Sequence, residues 1–382
     1  MKHFSFSIPQ NVFFGWGSLN DLTSIAGKTG ASKAFIVSGP HLMKAGYVDL
    51  CKEKLAQAGI DSEAFTETEG NPSTDTVEKA ASKFKESGAD LIVAFCGGSP
   101  LDVAKAVAVL GSYGGKITDY EGVGKVPGPV VPMIAIPTTA GTGSEVTSFS
   151  VITDHSRDYK LTVGSTYLLP SYVILDPELI TTVPLKTSAY CGVDALVHAL
   201  EAYLSLASSP FSDMMALQAL ELIGSNIRDY VADRKDRKAA EGMLLGSLFA
   251  GIAFSHARLG DVHAMSHPVS AYFDVAHGLA NAVLLPVVVE FNAQSDTGKY
   301  YEIYTRVAVD PVAKAEFRSE YLANELRFLN TSLGIPGSLK EVEVDSSKFD
   351  AMAEDAMKSG NIAVNPRKTT KEDILSLYHQ AY

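Results

Sequence analysis

Cysteine is scarce in this chain: Cys51, Cys96 and Cys191 are the only three in 382 residues. An odd, widely spaced trio points away from a disulfide framework and toward a reducing compartment, so a cytoplasmic location is expected. Basic residues are also under-represented. Lysine and arginine number 32 against 44 aspartates and glutamates, a formal charge of −12. That balance speaks against nucleic acid or an anionic membrane as a partner, since both need a basic face. No apolar run approaches the ~20 residues of a membrane span. The N-terminal stretch carries no secretory apolar segment. Repeats and low-complexity tracts are absent as well. What remains, 46% apolar and 20% charged, reads as a globular chain too long for one ordinary core, so two domains are expected.

The first half alternates short apolar runs with helical patterns. Residues 34–37, 91–95 and 130–136 read as buried strands. Between the first two, Val77, Ala80, Ala81 and Phe84 recur at helical spacing over residues 74–87, and Gly88 is a helix stop. Strand, helix, strand at this spacing implies parallel pairing. After Pro184 the patterns turn helical, most clearly over 189–206, 213–233 and 237–255, and again over 300–309, 313–333 and 371–382. The expectation is an α/β domain over residues 1–183, Rossmann-like, followed by an all-α helical-bundle domain over residues 184–382.

Two glycine-rich loops follow expected strands. The first is Cys96-Gly97-Gly98-Ser99-Pro100, with Ser99 suited to cap a helix over 101–110 and Pro100 to its first turn. Amide groups at such a helix start, with the positive end of the dipole, suit a pyrophosphate, although a well-capped turn reads the same way. The second is Pro137-Thr138-Thr139-Ala140-Gly141-Thr142-Gly143-Ser144-Glu145. Hydroxyls and glycines beyond a strand's carboxyl end suit a nucleotide. Neither loop carries the usual dinucleotide or P-loop fingerprint.

Histidine is concentrated. Of nine in the chain, His198 lies four residues after Asp194 in an apolar stretch, and His263, His267 and His277 form a second cluster. Asp194 and His198 share one helix face at i,i+4, and His263 and His267 repeat that spacing. A carboxylate in an apolar segment needs a compensating charge. A divalent metal is the simplest candidate, and the N/O donor set fits Fe²⁺, Zn²⁺, Mn²⁺, Co²⁺ or Ni²⁺.

Together these motifs resemble the iron-dependent, metal-containing group III alcohol dehydrogenases over essentially the whole chain. The resemblance rests on Phe14-Gly15-Trp16-Gly17-Ser18-Leu19; on Gly97-Gly98-Ser99-Pro100 with Asp102, Ala104 and Lys105; on the 137–145 loop; on Gly192-x-Asp194-Ala195-Leu196-x-His198-Ala199-x-Glu201; and on Val262-His263-Ala264-Met265-x-His267 with His277-Gly278. It implies that Asp194, His198, His263 and His277 hold one divalent metal, Fe²⁺ ahead of Zn²⁺ or Mn²⁺, with His267 beside it as the catalytic proton carrier. It implies that Gly97, Gly98 and Ser99, with Asp102, cradle a dinucleotide, that Thr138, Thr139 and Thr142 touch its other parts, and that Lys160 lies near the nicotinamide ribose. The implied fold is that of dehydroquinate synthase-like proteins, and a homodimer is expected by analogy.

Two departures matter. Cys96 stands where the family carries a third glycine. Gly39, after the first strand, stands where many NAD-using members carry an aspartate that would repel a 2′-phosphate. NAD is expected, with NADP left open. The implied reaction is hydride transfer between a small primary alcohol and a nicotinamide, with the ion as Lewis acid. His256 and Arg258, shortly before His263, suit a sulfonate or carboxylate on a short aldehyde such as sulfoacetaldehyde or a semialdehyde. Alternatives are a dehydroquinate synthase-like lyase, which would need more lysines and arginines near the metal motifs, and a non-catalytic assembly or sensor protein.

Overall fold

Alternate residues of the central strands face opposite ways, and both faces are apolar. Phe35, Val37, Ile92, Ala94, Met133 and Ala135 pack into one core, while Ala34, Ile36, Leu91, Val93, Phe95, Ile134 and Ile136 pack into another. A sheet buried on both sides must carry helices on both sides, and that condition selects parallel strands joined by helical crossovers. In the computed structural model, which describes residues 4–382, this is the arrangement found. The first three residues, part of the stretch read for a secretory segment, lie outside the described residues.

The strands are β1 Asn11–Phe14, β2 Lys33–Val37, β3 Asp61–Phe65, β4 Leu91–Cys96, β5 Gly122–Val123, β6 Met133–Pro137, β7 Phe149–Asp154, β8 Tyr159–Gly164 and β9 Tyr172–Leu175. Six form a parallel sheet in the order β1-β9-β6-β4-β2-β3. The helices of this part are α1 Leu22–Thr29, α2 Pro40–Lys44, α3 Tyr47–Gln57, α4 Thr74–Ser87 and α5 Gly98–Tyr113. A small second sheet, β5-β8-β7, holds an antiparallel hairpin of β7 and β8 that the sequence patterns did not reveal. The strand expected over 130–136 begins only at Met133. Pro132 has no N–H for a ladder, and the Val131 N–H is taken by the Ser112 hydroxyl.

The remaining helices are α6 Leu185–Leu204, α7 Pro210–Ala232, α8 Arg237–Ala257, α9 Asp261–Phe273, α10 His277–Asn292, α11 Lys299–Val307, α12 Ser319–Ser332, α13 Phe349–Met357 and α14 Lys371–Gln380. Helices α6, α7 and α8 pack on one another, and α10 packs on α6 and α9. The helix expected over 313–333 starts at Ser319, with turns before it. Among the described residues no single helix is long and apolar enough to cross a membrane.

The chain divides into two units. One comprises Ser7–Thr139 and Ser144–Thr182; the other comprises Val183–Tyr382 with residues 4–6 and Ala140–Gly143. The four-residue loop Ala140–Gly143 thus belongs to the helical unit although it follows β6. Its glycines explain why. A Cβ at Gly141 would lie 2.7 Å from Cys191 Cβ, and one at Gly143 would lie 2.6 Å from Gly251 Cα, so only glycine lets the backbone lie this close to α6 and α8.

Candidate metal centre and glycine loops

Three helices each deliver donors to one point in the helical unit. Asp194 and His198 come from one face of α6, His263 from the first turn of α9, and His277 opens α10. Their four ligand atoms lie within 4.8 Å of one another. Asp194 Oδ1 is 3.8 Å from Nε2 of each of the three histidines. Asp194, His198 and His263 are buried, at 2%, 4% and 1% exposure. Three imidazole edges around one buried carboxylate suit a divalent ion of the sizes that nitrogen and oxygen donors hold.

The tautomers are fixed from behind. His198 Nδ1 lies 3.3 Å from the Gly141 carbonyl, which can only accept, so this nitrogen carries the hydrogen and Nε2 presents its lone pair. His263 Nδ1 lies 2.6 Å from Glu201 Oε2. The other oxygen of Glu201 accepts the Val262 N–H at 2.7 Å, so one carboxylate both caps α9 and orients its histidine. Gly260 permits this, because a Cβ there would fall 2.9 Å from Glu201 Oε1. Burial pushes the Glu201 carboxyl up to about 7 and holds His263 well below the ordinary histidine range. A neutral His263 is the form a metal requires. His267 stands beside the quartet, its ring centroid 5.4 Å from that of His277 and 6.3 Å from that of His263.

Glu201 was legible only as a motif letter, and its spacing of i+3 from His198 was the available signal. Asn281 stands in none of the motifs. It is fully buried, four residues after His277, and its amide nitrogen donates to Asp194 Oδ1 at 2.6 Å. His256 and Arg258 are placed at the end of α8. His256 lies tilted against Phe6 with ring centroids 4.4 Å apart, its Nδ1 hydrogen-bonding the Ile252 carbonyl at 2.9 Å. The Arg258 guanidinium lies against Gly360.

In the α/β unit, β4 runs into α5 at the first glycine loop. The helix begins one turn earlier than its expected core: Gly97 is the cap, Gly98 opens the helix, and Ser99 lies inside the first turn. Ser99 therefore does not cap; its hydroxyl donates to the Gly70 carbonyl instead. The amides of that first turn have no partner within the helix, the arrangement that can receive an anion. A Cβ at Gly97 would come within 3.2 Å of the Thr139 side chain, so glycine lets the two loops lie this close. Cys96, the departure from the family pattern, ends β4 with its side chain in the sheet core, and burial pushes its thiol up well above the usual range. The loop that follows is thus undisturbed. Thr138 is buried, and its N–H donates to the Cys96 carbonyl. Lys160 Nζ donates to Asn71 Oδ1 at 2.9 Å.

Asp102 and Lys105 bind their own unit together. Asp102 accepts from Ser144 Oγ at 2.7 Å and from the Val151 N–H at 3.2 Å. Lys105, fully buried, donates to five oxygens of Ser144, Thr147 and Phe149 at 2.6–3.1 Å. It is the only buried lysine or arginine among the described residues.

Comparison with known proteins agrees with this geometry. Residues 9–177 match the family described as iron-containing alcohol dehydrogenase, and residues 188–382 match its C-terminal counterpart. The chain is 36% identical to the 1,3-propanediol dehydrogenase of Citrobacter freundii, over 100% of this chain and 99% of that one. Its structure superposes on that of a 1,3-propanediol oxidoreductase with a TM-score of 0.95, at 35% identity and full coverage of both chains. It superposes on a sulfoacetaldehyde reductase from Bifidobacterium kashiwanohense, solved with NAD⁺, with a TM-score of 0.87 at 27% identity, covering 100% and 99%. The chain belongs to the iron-containing alcohol dehydrogenase family and is an oxidoreductase of that class.

Proposed function

We propose that this protein is a metal-dependent, NAD(P)-linked dehydrogenase that interconverts a small primary alcohol and its aldehyde. The observation that carries this reading is the convergence of Asp194, His198, His263 and His277 in an interior that offers no lysine or arginine. In this reading these four residues hold one divalent ion, Fe²⁺ before Zn²⁺ or Mn²⁺, within a helical domain of residues 184–382. Residues 1–183 hold the dinucleotide, with Gly97, Gly98 and Ser99 at its phosphates and Thr138, Thr139, Thr142 and Lys160 along the rest. When bound, the ion supplies Lewis acidity and the nicotinamide gives or accepts the hydride. The chain's own work is positional. Gly141 and Glu201 aim two imidazoles, and the glycine loops let backbone approach the phosphates. His267 exchanges a proton with solvent through a ring nitrogen.

The name of the propanediol relative supports a short, neutral aliphatic substrate. A substrate bearing a sulfonate or carboxylate is the second reading, with Arg258 and His256 as its cationic side. One observation favours it besides the sulfoacetaldehyde-reducing neighbour. Arg258 has φ +64° and ψ −176°, a region that is essentially glycine-only, and such strain is retained where a side chain is needed. Gly39 has an extended backbone and room for a Cβ 3.7 Å from the Thr68 carbonyl, so nothing steric demands glycine there. Its lack of a carboxylate supports use of NADP as well as NAD.

The test is a panel of aldehydes with Fe²⁺ or Zn²⁺ and NADH or NADPH, following nicotinamide absorbance. Aldehyde-dependent oxidation is expected. None across the panel, with ion and nucleotide shown to be bound, would overturn the reading. Gly39→Asp is expected to lower kcat/KM for NADPH about tenfold or more relative to NADH. Arg258→Ala that leaves turnover of acidic aldehydes unchanged would remove the anionic reading.

A further inference from the structure

The Asn281 amide stands closer to three of the four donor atoms than Asp194 stands to any of the three histidines. Its Nδ2 is 2.6 Å from Asp194 Oδ1, 3.1 Å from His263 Nε2 and 3.2 Å from His277 Nε2. The identity of this atom follows from chemistry. Asp194 Oδ1 accepts, and His263 Nε2 also accepts, because Nδ1 of that ring faces the Glu201 carboxylate. Only the amide's NH₂ end can face both. Its other end, Oδ1, is buried and has no hydrogen-bond partner. Leaving a buried carbonyl oxygen unpaired is costly. The side chain accepts that cost in the orientation that turns its donors toward the quartet.

An NH₂ group has two hydrogens, and three atoms surround it: Asp194 Oδ1, His263 Nε2 and His277 Nε2. The amide is therefore oversubscribed as long as both imidazole lone pairs are available. Once a cation takes those lone pairs, one acceptor remains, the Asp194 carboxylate oxygen. We infer that Asn281 is a positioning residue of the metal centre: it holds Asp194 in the ligating orientation and, before a cation arrives, spreads its two hydrogens over the carboxylate and imidazoles that would otherwise face one another unpaired. This rests on the quartet being a metal site, as proposed above. It adds a fifth side chain, one that prepares the donors without being one of them.

The test uses cobalt(II), whose visible absorption reports the number and arrangement of its ligands. Wild-type protein, stripped with chelator, is titrated with Co²⁺ alone, and folding is checked by circular dichroism. Asn281→Leu keeps the side chain's approximate shape and removes its donors. It is expected to weaken Co²⁺ binding about 10- to 100-fold and to shift the visible bands. Asn281→Ala leaves space for a water that can donate to Asp194, so its loss should be smaller. A packing role predicts the reverse order, with alanine, which opens a cavity, worse than leucine. Wild-type affinity and spectrum in both variants, or alanine worse than leucine, would overturn the inference. If Asn281→Leu does not fold, Asn281→Ala decides alone: a Co²⁺ spectrum identical to wild type overturns it, and a shifted one supports it. If the wild-type protein itself binds no Co²⁺, the metal reading fails first and this inference falls with it.

Discussion

The two units bury charge in opposite ways. In the α/β unit the buried Glu145 and the half-buried Asp102 lie with Lys105, whose ammonium is wrapped by five oxygens. In the helical unit Asp194, Glu201 and Asp261 are buried too, and among the described residues no buried lysine or arginine accompanies them. Histidines do, but burial drives His263 toward its neutral form. One unit carries its own buried cation; in the proposed reading a metal ion supplies the other's. A buried carboxylate without a countercharge is costly, so the contrast supports that reading.

The strongest way to break this comparison is His263→Ala. It removes one donor and leaves Glu201 without its partner. Metal content should fall to background, and turnover should drop about 1000-fold or more, the loss of several kcal/mol of Lewis-acid stabilisation. Chelator should lower the melting temperature of the wild-type protein and leave that of the variant unmoved; full activity in metal-free protein would contradict the whole reading. Lys105→Met tests the other unit. It takes the ammonium donor from five oxygens and the nearby cation from Asp102, with an expected cost of about 3–5 kcal/mol in urea denaturation, the same with or without chelator. Gly278→Ala sharpens the contrast by geometry. Its Cβ would fall 2.3 Å from the Tyr190 carbonyl, forcing α10 from α6 although each carries donors. A loss of about 1–3 kcal/mol and weaker metal retention are expected, by denaturation and by metal analysis.

The smallest effect concerns the β7–β8 hairpin. Asp154 accepts from the Ser156 N–H and hydroxyl and from Arg157 Nε, and these bonds hold its carboxyl below the usual range. A depressed folded-state pKa means stability that is present at neutral pH and lost as pH falls through that lowered value. Asp154→Asn should therefore cost about 1 kcal/mol at pH 7, a difference that closes on the acid side of the carboxylate range. A difference that grew with acid would show that the sign is wrong.

Legibility differed between the units for physical reasons. Strands at 34–37 and 91–95 and the helix over 74–87 were readable because sheets buried on both faces leave continuous apolar runs and amphipathic helices leave spaced ones. The β7–β8 hairpin was not readable, since its half-buried strands mix serine, threonine and lysine with apolar residues. Helices α9 and α10, which carry two of the four donors, escaped assignment because each contains a proline, Pro268 and Pro286. The donors themselves stood out because histidine is rare. Their supports did not, because glutamate and asparagine are common on any helix, and only the i+3 step to Glu201 and the i+4 step from His277 to Asn281 distinguish them.

Helix α6 acts as a ruler. Asp194, His198 and Glu201 sit on it at intervals of four and three residues, so all three project along one stripe. Adding a single residue in the turn before Asp194 would swing that stripe by about 100° relative to everything upstream. The helix is packed on its other sides as well, so neither its length nor its register before Asp194 can change by one step without scattering that stripe.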